Sequence, residues 1–256
     1  MVWLSRQTDS TNGGGEHDGK GSDRRGTSGI GEAAARAFSA RGDDVVVAGR
    51  DRGRLEAALA RLGDGVRGEA LDAADADAVR AVAERLAPID VLVLAASGGS
   101  GAGPFAGLAL GDLRAGFEGK FWPQATALQQ ALPSLAREAA VVLVTAGSAR
   151  AALAGTAGLA AINGALEAMV PPLAAELAPR RVSAVSPGVI DTPWWDNQPD
   201  EMRAATFEAF SKVPAGRIGQ ADDVAAAIVA LATNHYVTGC VLDCDGGAHL
   251  ATGLGG

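Results

Sequence analysis

Residues 26–34 read GTSGIGEAA, and the glycines at Gly26, Gly29 and Gly31 carry the first chemical signal in the chain. Glycine permits a tight turn and lets the backbone approach a ligand closely; the first turn of a following helix adds free N–H groups and a positive dipole end. That combination suits a pyrophosphate, so Gly26, Thr27, Ser28, Gly29, Ile30 and Gly31 are candidates to hold a dinucleotide. A glycine cluster alone is a weak signal, and context has to supply the rest. Other reactive types are sparse: the only lysines are Lys20, Lys120 and Lys212, and the only tyrosine is Tyr236. His17, His235 and His249 lack ligand spacing with cysteines or carboxylates, so no metal site is expected. Cys240 and Cys244 lie four apart in the strand-like VTGCVLDCDGG. At about 13 Å apart they are beyond disulfide reach and read as reduced structural thiols.

Such a turn works only where a sheet and helices present it. Short β-branched runs occur at 45–48 (VVVA), 89–94 (IDVLVL), 141–145 (VVLVT), 182–185 (VSAV) and 237–243 (VTGCVLD). Between the earlier runs, residues 32–42, 52–63 and 75–87 place apolar side chains at three- and four-residue intervals. Uninterrupted apolar strands are covered on both faces, and helices between them imply parallel crossovers. The fold class is therefore α/β: a single Rossmann-like, doubly wound parallel sheet with helices on both faces. Residues 1–20, polar and rich in Gly, Ser and Thr, read as a flexible N-terminal tail, and 21–256 as one dinucleotide-binding domain. TPWWDNQPDEMRAATFEAFSKVP, 192–214, breaks the alternation after the 182–185 strand. Ligands bind beyond the carboxyl ends of such strands, so this excursion reads as a substrate lid, with Trp194 and Trp195 either facing substrate or packing.

With 48% hydrophobic residues the chain is large enough for a full core. A formal charge of -8 argues against nucleic acid or an anionic membrane, because phosphates call for clustered Lys and Arg. No 20-residue apolar run lacks Gly, Pro or charge, and the first residues lack a signal-peptide core, so a soluble, cytoplasmic protein with a small-molecule substrate is expected.

GTSGIGEAAARAF resembles the cofactor turn of the short-chain dehydrogenase/reductase family, and further resemblances follow in family order along nearly the whole chain. IDVLVLAASG resembles the fourth strand and its Asn-Asn-Ala-Gly turn, with Leu94, Ala95, Ala96 and Ser97 at the turn positions. SPGVIDTPW resembles the Pro-Gly segment, and PAGRIGQADDVAAAIVALAT with VTGCVLDCDGG resembles the last helix and strand. The resemblance implies a nicotinamide cofactor, contacts to it from Leu71, Asp72, Ala95, Ala96, Ser97, Gly188, Ile190 and Thr192, and a homotetramer or homodimer. An acid ending the second strand would bind the ribose of NAD, whereas Arg accommodates the extra phosphate of NADP. Here Gly49 falls at that position and Arg50 follows, which favours NADP(H) over NAD(H).

Two departures stand out. The family's first glycine falls on Arg25, and the strand before it would be GSDRR, whose charges would cost several kcal/mol each if buried unpaired. Codons for Gly-Ser-Asp-Arg-Arg exist that, read one nucleotide later, give Val-Val-Ile-Val and begin a Gly codon. A local frame error is thus one explanation; charged residues with native partners are the other. Second, the family's Tyr-x-x-x-Lys pair is missing: Leu159 falls at the Tyr, Asn163 at the Lys and Ala146 at the Ser. Lys120, in FEGKFWPQ, falls at the family's structural Asn, where desolvation by Phe121 and Trp122 would lower its pKa. Lys120, Ser148 and Asn163 are the candidate catalytic residues. The expected activity is NADP-dependent hydride transfer to or from a small, largely apolar carbonyl or alcohol with a non-standard proton donor; the alternative is binding of NADP(H) or a metabolite without turnover.

Overall fold

The computed structural model describes residues 2–6 and 29–250. Strands β1 (Val2–Arg6), β2 (Asp44–Gly49), β3 (Val66–Ala70), β4 (Ile89–Leu94), β5 (Leu135–Val144), β6 (Arg181–Pro187) and β9 (Val241–Cys244) form one sheet in the order β3-β2-β1-β4-β5-β6-β9. Every pair except those made by β1 is parallel. Helices α1 (Gly29–Ser39), α2 (Arg52–Leu62), α3 (Ala76–Leu86), α5 (Trp122–Ala131), α6 (Ala157–Glu176) and α8 (Ala221–Thr233) cover its faces, and α4 (Leu110–Gly116) leads into α5.

The strands alternate sides with period two. Val46, Leu92, Leu94, Val141, Leu143 and Val182 point into the core beneath α3, α5 and α6. Val45, Val47, Val91, Val93, Val142 and Val185 point into the opposite core beneath α1 and α8. Both sets are buried, which is why these strands read as continuous apolar runs. The helices start where side chains take up their free N–H groups: Asp51 accepts from Arg54 N at 2.9 Å, Asp75 from Asp77 N and Ala78 N, and Gln220 with Asp223 closes a capping box on α8. Helix α6 is long and apolar, but Gly158, Ile162, Leu166, Val170 and Ala174 form one buried stripe along it.

Three features differ from the sequence expectation. Val2–Arg6, inside the span read as a tail, forms the central strand and runs antiparallel to both neighbours, with Val2 opposite Ala48 and Leu94. The strand expected at 21–25 lies outside the described residues. Strand β3 was not anticipated, because at the sheet edge only Val66 of VRGEA is buried and the apolar signal is lost. The last strand begins at Val241 instead of 237, since Gly239 at φ +72° turns the chain before it enters the sheet.

Candidate active site

The carboxyl ends of β2, β4, β5 and β6 lie along one edge of the sheet, with the antiparallel β1 between the first two, and the loops leaving them build the site. At one end is a cleft of about 190 Å³ lined by Gly49, Arg50, Leu71, Asp72, Ala96 and Ser97, among others. Five residues expected to contact the cofactor thus meet in one concavity, with Ala95 beside them in the chain. Gly49 ends β2 without a side chain, and it and Arg50 both line the cleft. Asp72 turns one oxygen back to Ala74 N at 3.0 Å. Gly26, Thr27 and Ser28 lie outside the described residues; Gly29, at φ +42°, and Ile30 and Gly31 begin α1. Glu32, in that first turn, is buried and accepts from Arg61 Nε and Nη2 at 2.8 Å each, clasping α1 to α2.

The loop after β4 is packed through glycines. A Cβ on Gly98 would come 3.3 Å from Gly119 Cα, and one on Gly158 would come 2.3 Å from Gly101 O. This close approach brings the loop onto α6 and onto the turn that carries Lys120.

That turn, Phe117–Phe121, is a π-helix between α4 and α5, with Trp122 N donating to Phe117 O. Pro123 explains it: a proline ring inside a continuous helix clashes with the carbonyl four residues back and removes one N–H, so the backbone widens by a residue. The widened turn rotates Lys120 inward. Lys120 is 9% exposed, and its Nζ donates to Thr145 O at 3.0 Å. Burial pushes its pKa down to about 8, opposed by the charge of Glu167. Gln124, four residues on, donates to Ala96 O and Val144 O at 3.0 and 3.1 Å and ties the ends of β4 and β5 together.

Ser148 stands in a short turn, Gly147–Ala149, whose Gly147 backs onto Pro187 so closely that a Cβ would come 3.3 Å from Pro187 O. Asn163 Nδ2 donates to Ser148 Oγ at 3.2 Å and to Leu159 O at 2.9 Å. Two acceptors on one nitrogen fix the amide orientation, and Oδ1 is left buried without a protein partner. Because Ser148 Oγ already accepts a hydrogen, its own O–H is left to donate. Lys120 does not join this pair directly; it is turned to the carbonyl of Thr145, three residues before Ser148.

Beyond β6, Gly188 donates to Cys244 O at 3.1 Å and packs against Asp245, where a Cβ would come within 2.8 Å. Ile190 begins strand β7 (Ile190–Asp191), paired with β8 (Gly219–Gln220), and Thr192 precedes the 3-10 turn Pro193–Asn197. The excursion then forms α7 (Asp200–Phe210). Trp194 Nε1 donates to Gly98 O at 3.3 Å and Trp195 Nε1 to Ile190 O at 3.0 Å, so this segment is fastened to the β4 loop. The two indoles meet edge to face, Phe207 packs on Trp195, and Arg203 lies over Phe207 with its guanidinium on Asp191 and Asp196.

Sequence reasoning missed Gln124, Glu167 and the widened turn. Pro123 inside a helical run was the one signal for the turn; nothing local marks Glu167 as facing Thr145.

A family model described as enoyl-(acyl carrier protein) reductase matches residues 26–249. A protein named as a granaticin polyketide synthase ketoacyl reductase of Streptomyces violaceoruber is 34% identical over 240 residues, covering 88% of this chain and 93% of its own. A galactitol 2-dehydrogenase (L-tagatose-forming) of Cereibacter sphaeroides is 32% identical over 239 residues, covering 86% and 91%. Among solved structures, a small-chain dehydrogenase in complex with NADPH matches with a TM-score of 0.73 at 30% identity, covering 88% of this chain and 95% of its own. An NADPH-bound short chain oxidoreductase of Pseudomonas aeruginosa PAO1, described as containing an atypical catalytic center, matches with a TM-score of 0.78 at 28% identity, covering 88% and 94%. With a family model spanning most of the sequence and relatives aligned over most of their length, the chain belongs to the short-chain dehydrogenase/reductase family of oxidoreductases.

Proposed function

We propose that this protein is an NADPH-dependent reductase of small, uncharged, largely apolar carbonyl compounds, or the dehydrogenase of the matching alcohols, working without the family's Tyr-x-x-x-Lys pair. The observation that carries the reading is the order of groups along one sheet edge: a cleft lined by Gly49 and Arg50 and by Ala96 and Ser97, then the Ser148–Asn163 pair. Gly49 and Arg50 suit a 2′-phosphate, since an acid at the first would repel it and a guanidinium at the second meets it with paired donors. Asp72 and Leu71 would flank the adenine, and Gly188, Ile190 and Thr192 the nicotinamide end. The nicotinamide, when bound, supplies or accepts the hydride.

The chain's own part is orientation and proton supply. Ser148 Oγ–H donates to the substrate oxygen, and Asn163 holds that hydroxyl in the donating sense. Lys120 stores a proton at Nζ near neutral pH, one backbone carbonyl from the Ser148 turn. Trp194, Trp195 and Phe207 exclude water and favour an apolar substrate. Arg203 is engaged by Asp191 and Asp196, which fits an uncharged one. Subunit pairing through α5 and α6, where Trp122 is exposed, agrees with the family's habit of forming oligomers.

One observation favours the alternative of binding without turnover: the Lys120 ammonium faces Thr145 O and not Ser148. Tryptophan fluorescence titrations with NADPH and NADH, followed by a carbonyl panel, separate the readings. NADPH is expected to bind at least about tenfold more tightly, and Arg50→Glu to erase the difference. Parent protein that binds NADPH but oxidises none with any carbonyl would leave only the binder.

A further inference from the structure

Five residues from five parts of the chain connect in a line beneath the site, one link passing through the Thr145 backbone. Lys120 Nζ donates to Thr145 O at 3.0 Å. Thr145 Oγ1 lies 2.9 Å from Glu167 Oε1 and 3.1 Å from Val185 O, and its one hydrogen is drawn to the carboxylate, the nearer and charged acceptor. The other carboxylate oxygen of Glu167 faces Arg150 Nε at 3.2 Å, and Arg150 Nη2 reaches Asp243 on β9. The Glu167 side chain is only 9% exposed, and it lies one helical turn beyond Asn163 on α6. We propose that Glu167 is a positioning residue: acting across Thr145, it is the counter-charge that keeps Lys120 protonated, with Arg150 and Asp243 moderating it from outside.

The physical case rests on sign and direction. A buried ammonium with one carbonyl partner is driven toward neutrality unless an anion lies nearby. Thr145 places two dipoles between the charges, its carbonyl oxygen toward Lys120 and its hydroxyl hydrogen toward Glu167, so both favour the charged pair. Arg150 stands on the far side of Glu167 and opposes the charge on Lys120, and Asp243 offsets Arg150 in turn. On the neighbouring elements, Gln124 on α5 and the Ser148–Asn163 pair are neutral, and Glu118 on the same turn as Lys120 is exposed. Charges therefore alternate along the line, and removing successive members must move the Lys120 titration in opposite directions. Its effect on turnover rests on the reading of Lys120 as the proton store given above; its effect on the lysine does not.

Only three lysines are present, so Lys20→Arg with Lys212→Arg leaves Lys120 as the single lysine signal. In the full chain labelled with lysine carrying 13C at Cε, the chemical shift is followed against pH. Glu167→Gln is expected to lower the midpoint by about one pH unit or more, Arg150→Met to raise it, and Glu167→Asp to lie between Glu167→Gln and the parent. Arg150 is half exposed, so its variant gives a second test should Glu167→Gln fail to fold. An unmoved midpoint in Glu167→Gln, or shifts of the same sign in the Gln and Met variants, overturns the proposal. If the opposite shifts appear while NADPH oxidation is indifferent to Lys120→Met, Glu167 keeps this role and Lys120 loses its own as proton store.

Discussion

Lys120 shows how one residue's setting changes its chemistry. On an ordinary helix its ammonium would reach water; here a proline-widened turn directs it beneath the site, and burial brings its pKa from 10.5 to about 8. The sign of the stability effect follows. The folded state gives up the proton first, so between pH 8 and 10.5 the unfolded chain binds more protons and stability rises with pH. Below pH 8 the cost of the buried charge is fully present. Denaturant titrations of the parent and Lys120→Met across this window should show their difference moving in the parent's favour by about 3 kcal/mol. A gap that stays constant with pH would mean that the lysine reaches solvent. That Lys120, Ser148 and Asn163 are the polar side chains of those segments was legible in the sequence, because few others remain there. Their pairing was not: Asn163 on Ser148 and Lys120 on Thr145 depend on how α6 and the π-turn approach the end of β5.

At the level of elements, helices α1, α2 and α3 and strands β2, β4, β5 and β6 follow from apolar period and capping residues. Strand β1 does not. Its place is fixed by backbone pairing to β2 on one side and β4 on the other, and that requires both neighbours to exist first. Deleting residues 2–6 is expected to leave two interior edges unpaired and to abolish cooperative unfolding, seen as loss of a single sharp thermal transition by circular dichroism. A deletion variant that melts like the parent would show that the sheet does not depend on this strand. Glycines show a similar division. Those at 26, 29 and 31 announce a turn by their spacing, whereas Gly98, Gly101, Gly119 and Gly158 matter because distant backbones touch there.

Across the whole molecule, the sheet and its covering layers are joined by a few buried polar anchors. Arg181, at the start of β6, is buried and donates to Leu231 O, Ala232 O, Asn234 O and Val237 O around the end of α8. This guanidinium caps the helix, complements its negative dipole end and fastens it to the sheet. Arg181→Met strands those carbonyls and should cost about 3 kcal/mol or more, read from denaturant midpoints at pH 7; a loss below about 1 kcal/mol would show that water takes over the capping. By its own pattern of apolar runs, caps and glycines, the sequence determined a doubly wound α/β domain and its resemblance to the short-chain dehydrogenase/reductase family. Those are local or composition-level properties, and local physics writes them directly into the chain. Only the tertiary structure decided which segment fills the centre of the sheet, which way Lys120 points and that Glu167 faces it, because each depends on contacts between residues far apart in sequence.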